Sequence, residues 1–159
     1  FLPLSIGLQS RTGTFRLMGD YQRGHFFTTL SGAYLKRAKI TIDRNAYFTT
    51  EMVYSNEVVM PDVINVNFRM GYRSNRLIAE AIVDNQVTQG GFDITKNNMP
   101  FPSNTMNALK IGIHTKYTFP KKEALALVGG FNHVLDGRNV GQTNAVYAGL
   151  FYIINFNTK

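Results

Sequence analysis

Asp62-Val-Ile-Asn-Val-Asn-Phe-Arg-Met-Gly-Tyr-Arg-Ser-Asn-Arg-Leu-Ile-Ala-Glu-Ala-Ile-Val-Asp84 is the stretch that decides the fold. Ile64, Val66, Phe68, Met70 and Tyr72 are apolar at every second position, and so are Leu77, Ala79, Ala81 and Val83. Asn65, Asn67, Arg69, Gly71 and Arg73 fill the gaps of the first arm, and Glu80 falls among those of the second. This period of two is the signature of a strand with two different faces. With Ser74-Asn75 as a two-residue turn, Tyr72 pairs with Leu77, Met70 with Ala79, Phe68 with Ala81 and Val66 with Val83 on one face. On the other, Arg69 faces Glu80 and Asn65 faces Asp84.

The same alternation runs through the chain, and no stretch shows a 3.6-residue period. It predicts about nine strands, near 2–9, 14–22, 25–35, 38–54, 62–73, 76–84, 107–119, 123–134 and 145–157. The first pair turns at 10–13, so that Leu8 faces Phe15, Ile6 faces Leu17 and Leu2 faces Tyr21, with Arg16 and Asp20 on the opposite side. In the seventh strand Leu109, Ile111, Ile113, Tyr117 and Phe119 share a face and Lys110, Gly112, His114 and Lys116 share the other. A turn at 120–122 keeps Leu125, Leu127 and Phe131 in step. Connections at 10–13, 36–37, 74–75 and 120–122 are short, and those at 55–61, 87–106 and 135–144 are longer. The link at Arg23-Gly24 is short, yet parity assigns it to the second set. Short turns at one end and long loops at the other are the pattern of an outer-membrane barrel.

Composition agrees with one domain over 1–159. Hydrophobic residues make up 44% of 159, without the run of about 20 that a membrane helix needs. There is no cysteine, which removes disulfides and thiolate metal sites. Phe1 begins inside an apolar alternation with no charged leader, as in a mature protein or part of one. The net charge of +7 gathers at the turns: Arg11, Lys36, Arg37, Lys39, Arg73, Arg76, Lys121 and Lys122. No RNP-like aromatic motif, helix-turn-helix or zinc finger accompanies it, so nucleic acid is not the expected partner.

Alternation does not say which face points outward. A soluble lipocalin-like barrel turns its apolar face inward around a small apolar ligand, and the length suits it. Three features favour the membrane. Aromatics (Tyr21; Tyr72; Tyr117 and Phe119; Tyr152 and Phe156) sit toward the ends of apolar stripes, as interfacial girdles do. The intervening positions mix Gly, Ser, Thr, Asn and charges, as a wet lumen does. The last strand carries Leu150, Tyr152, Ile154 and Phe156 in step.

The closing Ala145-Val-Tyr-Ala-Gly-Leu-Phe-Tyr-Ile-Ile-Asn-Phe resembles the terminal strand of Gram-negative outer-membrane barrels, which ends in an aromatic read by the assembly machinery. With the preceding Gly137-Arg-Asn-Val-Gly-Gln it resembles outer-membrane transporter barrels of Bacteroidota-like bacteria, over about a quarter of the chain. Asn157-Thr158-Lys159 after the final aromatic departs from that pattern. The resemblance implies an all-β, antiparallel up-and-down transmembrane barrel in the bacterial outer membrane. Even strand numbers with both termini periplasmic are the rule for such barrels, so nine strands predict the C-terminal part of a barrel of ten or more.

In that frame the lumen-lining residues are Arg16, Asp20, Asn65, Asn67, Arg69, Glu80, Lys110, His114 and Lys116. Arg69 and Glu80 form either a rigidifying bridge or one rung of a charged constriction. Lys110, His114 and Lys116 are a basic stripe that biases an open lumen toward anions. Gly112 and Gly130 face each other, with Gly149 on the same side. The 87–106 loop, with Gly90, Gly91, Phe92, Asp93, Pro100, Phe101 and Pro102, is expected to fold over this glycine patch and narrow the channel. The basic turns make a ring for lipid headgroups. His25, His114 and His133 have no ligand partner at metal-binding spacing, and no GxGxxG, Walker loop or EF-hand occurs. No cofactor and no enzymatic activity are expected. Three functions follow: a pore or transporter for small solutes, a non-conducting accessory barrel in a larger envelope assembly, and a soluble ligand-binding cup.

Overall fold

The computed structural model describes residues 10–94, 101–120 and 124–154. Seven long strands form one antiparallel up-and-down sheet, in the order β1 (Thr12–Arg23), β2 (Phe26–Arg37), β7 (Asp62–Arg73), β8 (Leu77–Gln89), β9 (Asn107–Thr118), β10 (Leu125–Arg138) and β11 (Asn144–Tyr152). The described sheet is open, and β1 and β11 are its edges. Four two-residue strands intervene: β3 (Ile40–Thr41), β4 (Tyr47–Phe48), β5 (Met52–Val53) and β6 (Glu57–Val58).

The central hairpin forms with its faces as expected and its register two residues displaced. Tyr72 pairs with Ala79, Met70 with Ala81 and Phe68 with Val83. The turn is Asn75-Arg76, closed by Ser74 N donating to Leu77 O at 2.8 Å. The cause is the Ser74 hydroxyl, whose oxygen accepts from the backbone N–H of Leu77 at 3.1 Å and of Arg76 at 3.4 Å. Such a side chain offers the backbone a local turn that competes with one more ladder pair. A displacement of two keeps every side chain on its face, whereas one would have inverted the strand. The same happens between β9 and β10, where Phe119 N donates to Leu125 O.

The strand expected over 38–54 does not join the sheet. β2 pairs directly with β7, from Phe26 opposite Tyr72 to Leu35 opposite Val63, and 38–61 leaves as an excursion. Within it β3 pairs with β6, and β4 with β5 nests inside. Asp43-Arg44-Asn45 and Thr49-Thr50-Glu51 interrupt this segment, so it offers β2 only short pieces, while β7 offers an unbroken ladder. The excursion buries an apolar cluster of Ile40, Val58 and Met60, packed by Ile42, Tyr47 and Phe101.

The start of the chain differs too. Gly13 pairs with Lys36 and Thr12 with Arg37, and Ala38 N donates to Arg11 O, so 11–13 continue β1 instead of turning. The strand expected over 2–9, and with it its pairing with β1, lies outside the described residues; of the turn expected at 10–13, Thr12 and Gly13 are already strand. Removing the fourth strand also restores regular parity. Gly24-His25, Asn75-Arg76 and 119–124 are the connections at one end, here the turn end; 38–61, 90–106 and 139–143 are those at the loop end. Arg23-Gly24 therefore belongs with the short turns, and Lys36-Arg37 with the long loops.

Every chain reversal leaves the alternation intact, so the sheet has one apolar and one polar face. Phe15, Leu17, Leu30, Val66, Phe68, Ala81, Val83, Ile111, Ile113, Leu127, Val146 and Leu150 share the first. The second carries Arg16, Asp20, Asn65, Asn67, Arg69, Glu80, Asp84, Lys110, His114 and Lys116. Val58 is 0% exposed, so Val58→Ala leaves a cavity at the centre of the excursion and costs about 2 kcal/mol locally. The check is amide hydrogen exchange, which should quicken at Ile42 and Tyr47 and stay unchanged in β7 and β8.

Candidate functional site

The polar face is held by hydrogen bonds that cross strands. Glu80, whose side chain is only 9% exposed, lies 3.7 Å from Arg69 Nη1 on β7 and 3.1 Å from His114 Nδ1 on β9. Arg69 is opposite Ile82 in the ladder and reaches Glu80 diagonally. The shifted hairpin register thus replaces the expected direct pairing with a diagonal one, within reach of a long side chain. Arg69 Nε donates to Asn67 Oδ1 at 3.0 Å. Asn65 and Asn67 donate to Asp84 Oδ1 at 3.0 and 3.4 Å, and Lys110 Nζ stands 4.0 Å from Asp84 Oδ2. Each sheltered carboxylate therefore has a cation and further donors, as a charge withdrawn from water requires.

Two glycines make this packing possible. Gly112 faces Asn132, and Gly130 faces His114 on one side and Tyr147 on the other. A Cβ at Gly112 would lie 2.2 Å from Asn132 Oδ1, and one at Gly130 would lie 2.4 Å from Tyr147 Oη and 2.6 Å from Ile113 O. Tyr147 occupies the space over Gly130 and stacks on His114, with ring centroids 6.1 Å apart. Tyr147, His114, Glu80 and Arg69 form a continuous row across β11, β10, β9, β8 and β7.

Gly90, Gly91, Phe92, Asp93, Phe101 and Pro102 sit at the loop end; Pro100 lies outside the described residues. Gly91 has φ +92°, and a Cβ there would meet Ser103 O at 2.4 Å. Phe101 stacks on Tyr47 of the excursion at 5.2 Å, and Phe92 packs on Phe101 at 6.2 Å. Asp93 receives Arg138 Nε at 2.7 Å, Arg138 Nη2 at 2.6 Å and Asn139 Nδ2 at 2.9 Å. These contacts run to the excursion and to β10. The atoms nearest Gly112, Gly130 and Gly149 belong to the sheet itself.

Arg16 is on the polar face with no ion pair among the described residues, and Asp20 accepts from the Thr29 hydroxyl. Lys116 lies nearer the turn end, its ammonium 4.5 Å from the centroid of Phe151. Of the expected basic ring, Lys36 and Lys39 are at the loop end, bound to Asp62 and Glu57. Arg73 and Arg76 are at the turn end, with Arg23. Tyr147 is not among the residues that the alternation singles out, because its place opposite Gly130 depends on the β10–β11 register. Among the described residues no three His, Asp or Glu side chains converge to hold a metal ion. Comparison with protein-family models, curated proteins and solved structures gave no match.

Arg138, and then Asn139, hold the Asp93 carboxyl down at about 2. A carboxyl lowered in the folded state stabilises it above the ordinary carboxylate pKa near ~4 and loses that contribution as pH falls. The 90–106 loop should therefore keep its attachment at neutral pH and loosen as pH drops from ordinary carboxylate values through about 2. Hydrogen exchange at the Ile94 amide, which donates to Asn139 Oδ1, reads this out, and Arg138→Gln should move the release to higher pH. Gly130→Ala should displace Tyr147, abolish the ring-current shift on the His114 imidazole protons, and cost about 1–3 kcal/mol by overpacking.

Proposed function

We propose that this chain builds the wall of a bacterial outer-membrane β-barrel, with its apolar face toward lipid and its polar face toward a lumen that passes small polar or amphipathic solutes. The observation that carries the reading is an inverted pattern of exposure. Leu30 is 55% and Ile113 56% exposed, while the charged side chain of Glu80 is 9% exposed. In a curved sheet, side chains on the concave side crowd and those on the convex side fan apart, so the polar face is the inner one. A soluble barrel has the opposite arrangement, because an apolar surface of this extent in water opposes folding by roughly 25 cal/mol per Å². Hydrocarbon removes that penalty, and strands paired on both sides, as β2, β7, β8, β9 and β10 are, leave no backbone group unsatisfied in it.

Dimensions and aromatic placement support the same reading. β1, β2, β7 and β9 each have 12 residues, and about 9–11 tilted residues cross a bilayer. On the apolar face Tyr21, Phe26, Tyr72, Tyr117 and Tyr152 lie toward the turn end, and Phe15 and Tyr34 toward the loop end. Such positions suit the two interfaces. The turn end would be periplasmic, and envelope lipids and other envelope proteins would be the partners. Closure requires further strands, since β1 and β11 run in the same direction and an antiparallel barrel needs an odd number between them.

A second reading, a non-conducting accessory barrel, is favoured by the row of Tyr147, His114, Glu80 and Arg69, which occupies the inner face with paired side chains. The test begins with extraction and gel mobility. The membrane barrel should need detergent and run as a compact band that shifts on heating; a freely soluble, monodisperse protein would overturn it. Planar-bilayer recording then separates the two readings: discrete conductance steps for the pore, none for the accessory subunit.

A further inference from the structure

We propose that the turn end of the polar face holds a binding site for an amphipathic organic anion, one carboxylate or phosphate group attached to an apolar body. The site is a cavity of about 490 Å³ bounded by Arg76, Lys116, Thr118, Phe119, Phe151 and Ile153. That volume is within the ordinary range for small-molecule sites, roughly 300–1,000 Å³. Its frame is fixed by backbone bonds: Thr118 N donates to Arg76 O at 2.7 Å, and Ile153 N to Ala124 O at 2.8 Å.

The charge balance points to an anion. At the loop end and in mid-sheet, Lys36, Lys39, Arg69, Lys110 and Arg138 each face a carboxylate. Arg76 and Lys116 have no carboxylate partner among the described residues, although both border the same cavity. Lys116 is held over the Phe151 ring, which orients the ammonium without neutralising it. An anionic group between these two cations gains charge-assisted hydrogen bonds, with the Thr118 hydroxyl as a further donor. Phe151 and Ile153 supply an apolar wall for the rest of the ligand. A fully hydrated inorganic ion would leave that wall unused.

The proposal rests on the reading of the polar face as a lumen only in that a solute must reach it. The experiment is ¹⁹F NMR titration of the detergent-solubilised full chain with 4-fluorobenzoate, using 4-fluorobenzyl alcohol as the neutral control. Saturable broadening of the benzoate, weaker by about tenfold in Arg76→Gln and in Lys116→Gln and unchanged in Lys36→Gln, is expected. Circular dichroism confirms that each variant keeps its sheet. Competition with dihexanoyl phosphatidate distinguishes the sources: displacement identifies a phospholipid headgroup as able to fill the site, and its absence leaves a free carboxylate; both uphold it. Equal binding of the alcohol, no saturable binding, or folded variants that bind as the parent does would overturn it. Binding without conductance would retain this site and remove the pore, and conductance without binding would do the reverse.

Discussion

The period of two is the constraint on which everything else in this molecule depends. A strand that slips by one residue exchanges its faces, and in a seven-stranded meander one such error would put charges among the apolar side chains of its neighbours. Ser74 shows how the constraint is met. Its hydroxyl moves the β7–β8 turn by one position and the pairing by two, so that Arg69 and Glu80 remain on one face and Phe68 and Val83 on the other. The bulge between Val134 and Asp136 is a local exception, close to the loop end where pairing gives way to Asp93 and Asn139.

Once the faces are fixed, the polar one has to satisfy itself. Glu80 and Asp84 are sheltered carboxylates on the same strand, and each is matched by residues from both neighbouring strands. This tends to lock β7, β8 and β9 together through side chains as well as through the ladder. Glycine has a specific part in the arrangement. At Gly130 the missing Cβ is the space into which Tyr147 leans, extending the row to the last strand.

The two ends are built differently. At the loop end the excursion, the 90–106 loop and the β10–β11 connection pack on one another through Phe101, Tyr47 and the Asp93–Arg138 pair, and Lys36 and Lys39 are bound to Asp62 and Glu57. At the turn end the connections are short, and Arg76 and Lys116 face a cavity without acidic partners among the described residues. A sheet that divides an end carrying acidic as well as basic residues from a cationic one has a direction, which a uniformly lined wall would lack.

Alternation in the sequence determined the strand character of 62–84, the two faces of the sheet and the presence of Arg69, Glu80 and His114 on the polar one, because period two is local and survives any even slip. It could not determine which pieces pair. The segment 38–54 alternates well enough to pass for a strand, and only competition with β7 for the edge of β2 excluded it. The same holds for diagonal contacts. Asn65 to Asp84 and Arg69 to Glu80 were legible as neighbours, but their geometry depended on where the Ser74 turn closed. Tyr147 over Gly130, and Arg76 beside Lys116, join neighbouring strands whose connection is one of the longer loops, 139–143 and 90–106. Those juxtapositions were decided by the tertiary structure, since a long connection, unlike a tight turn, does not fix the register of the strands it joins.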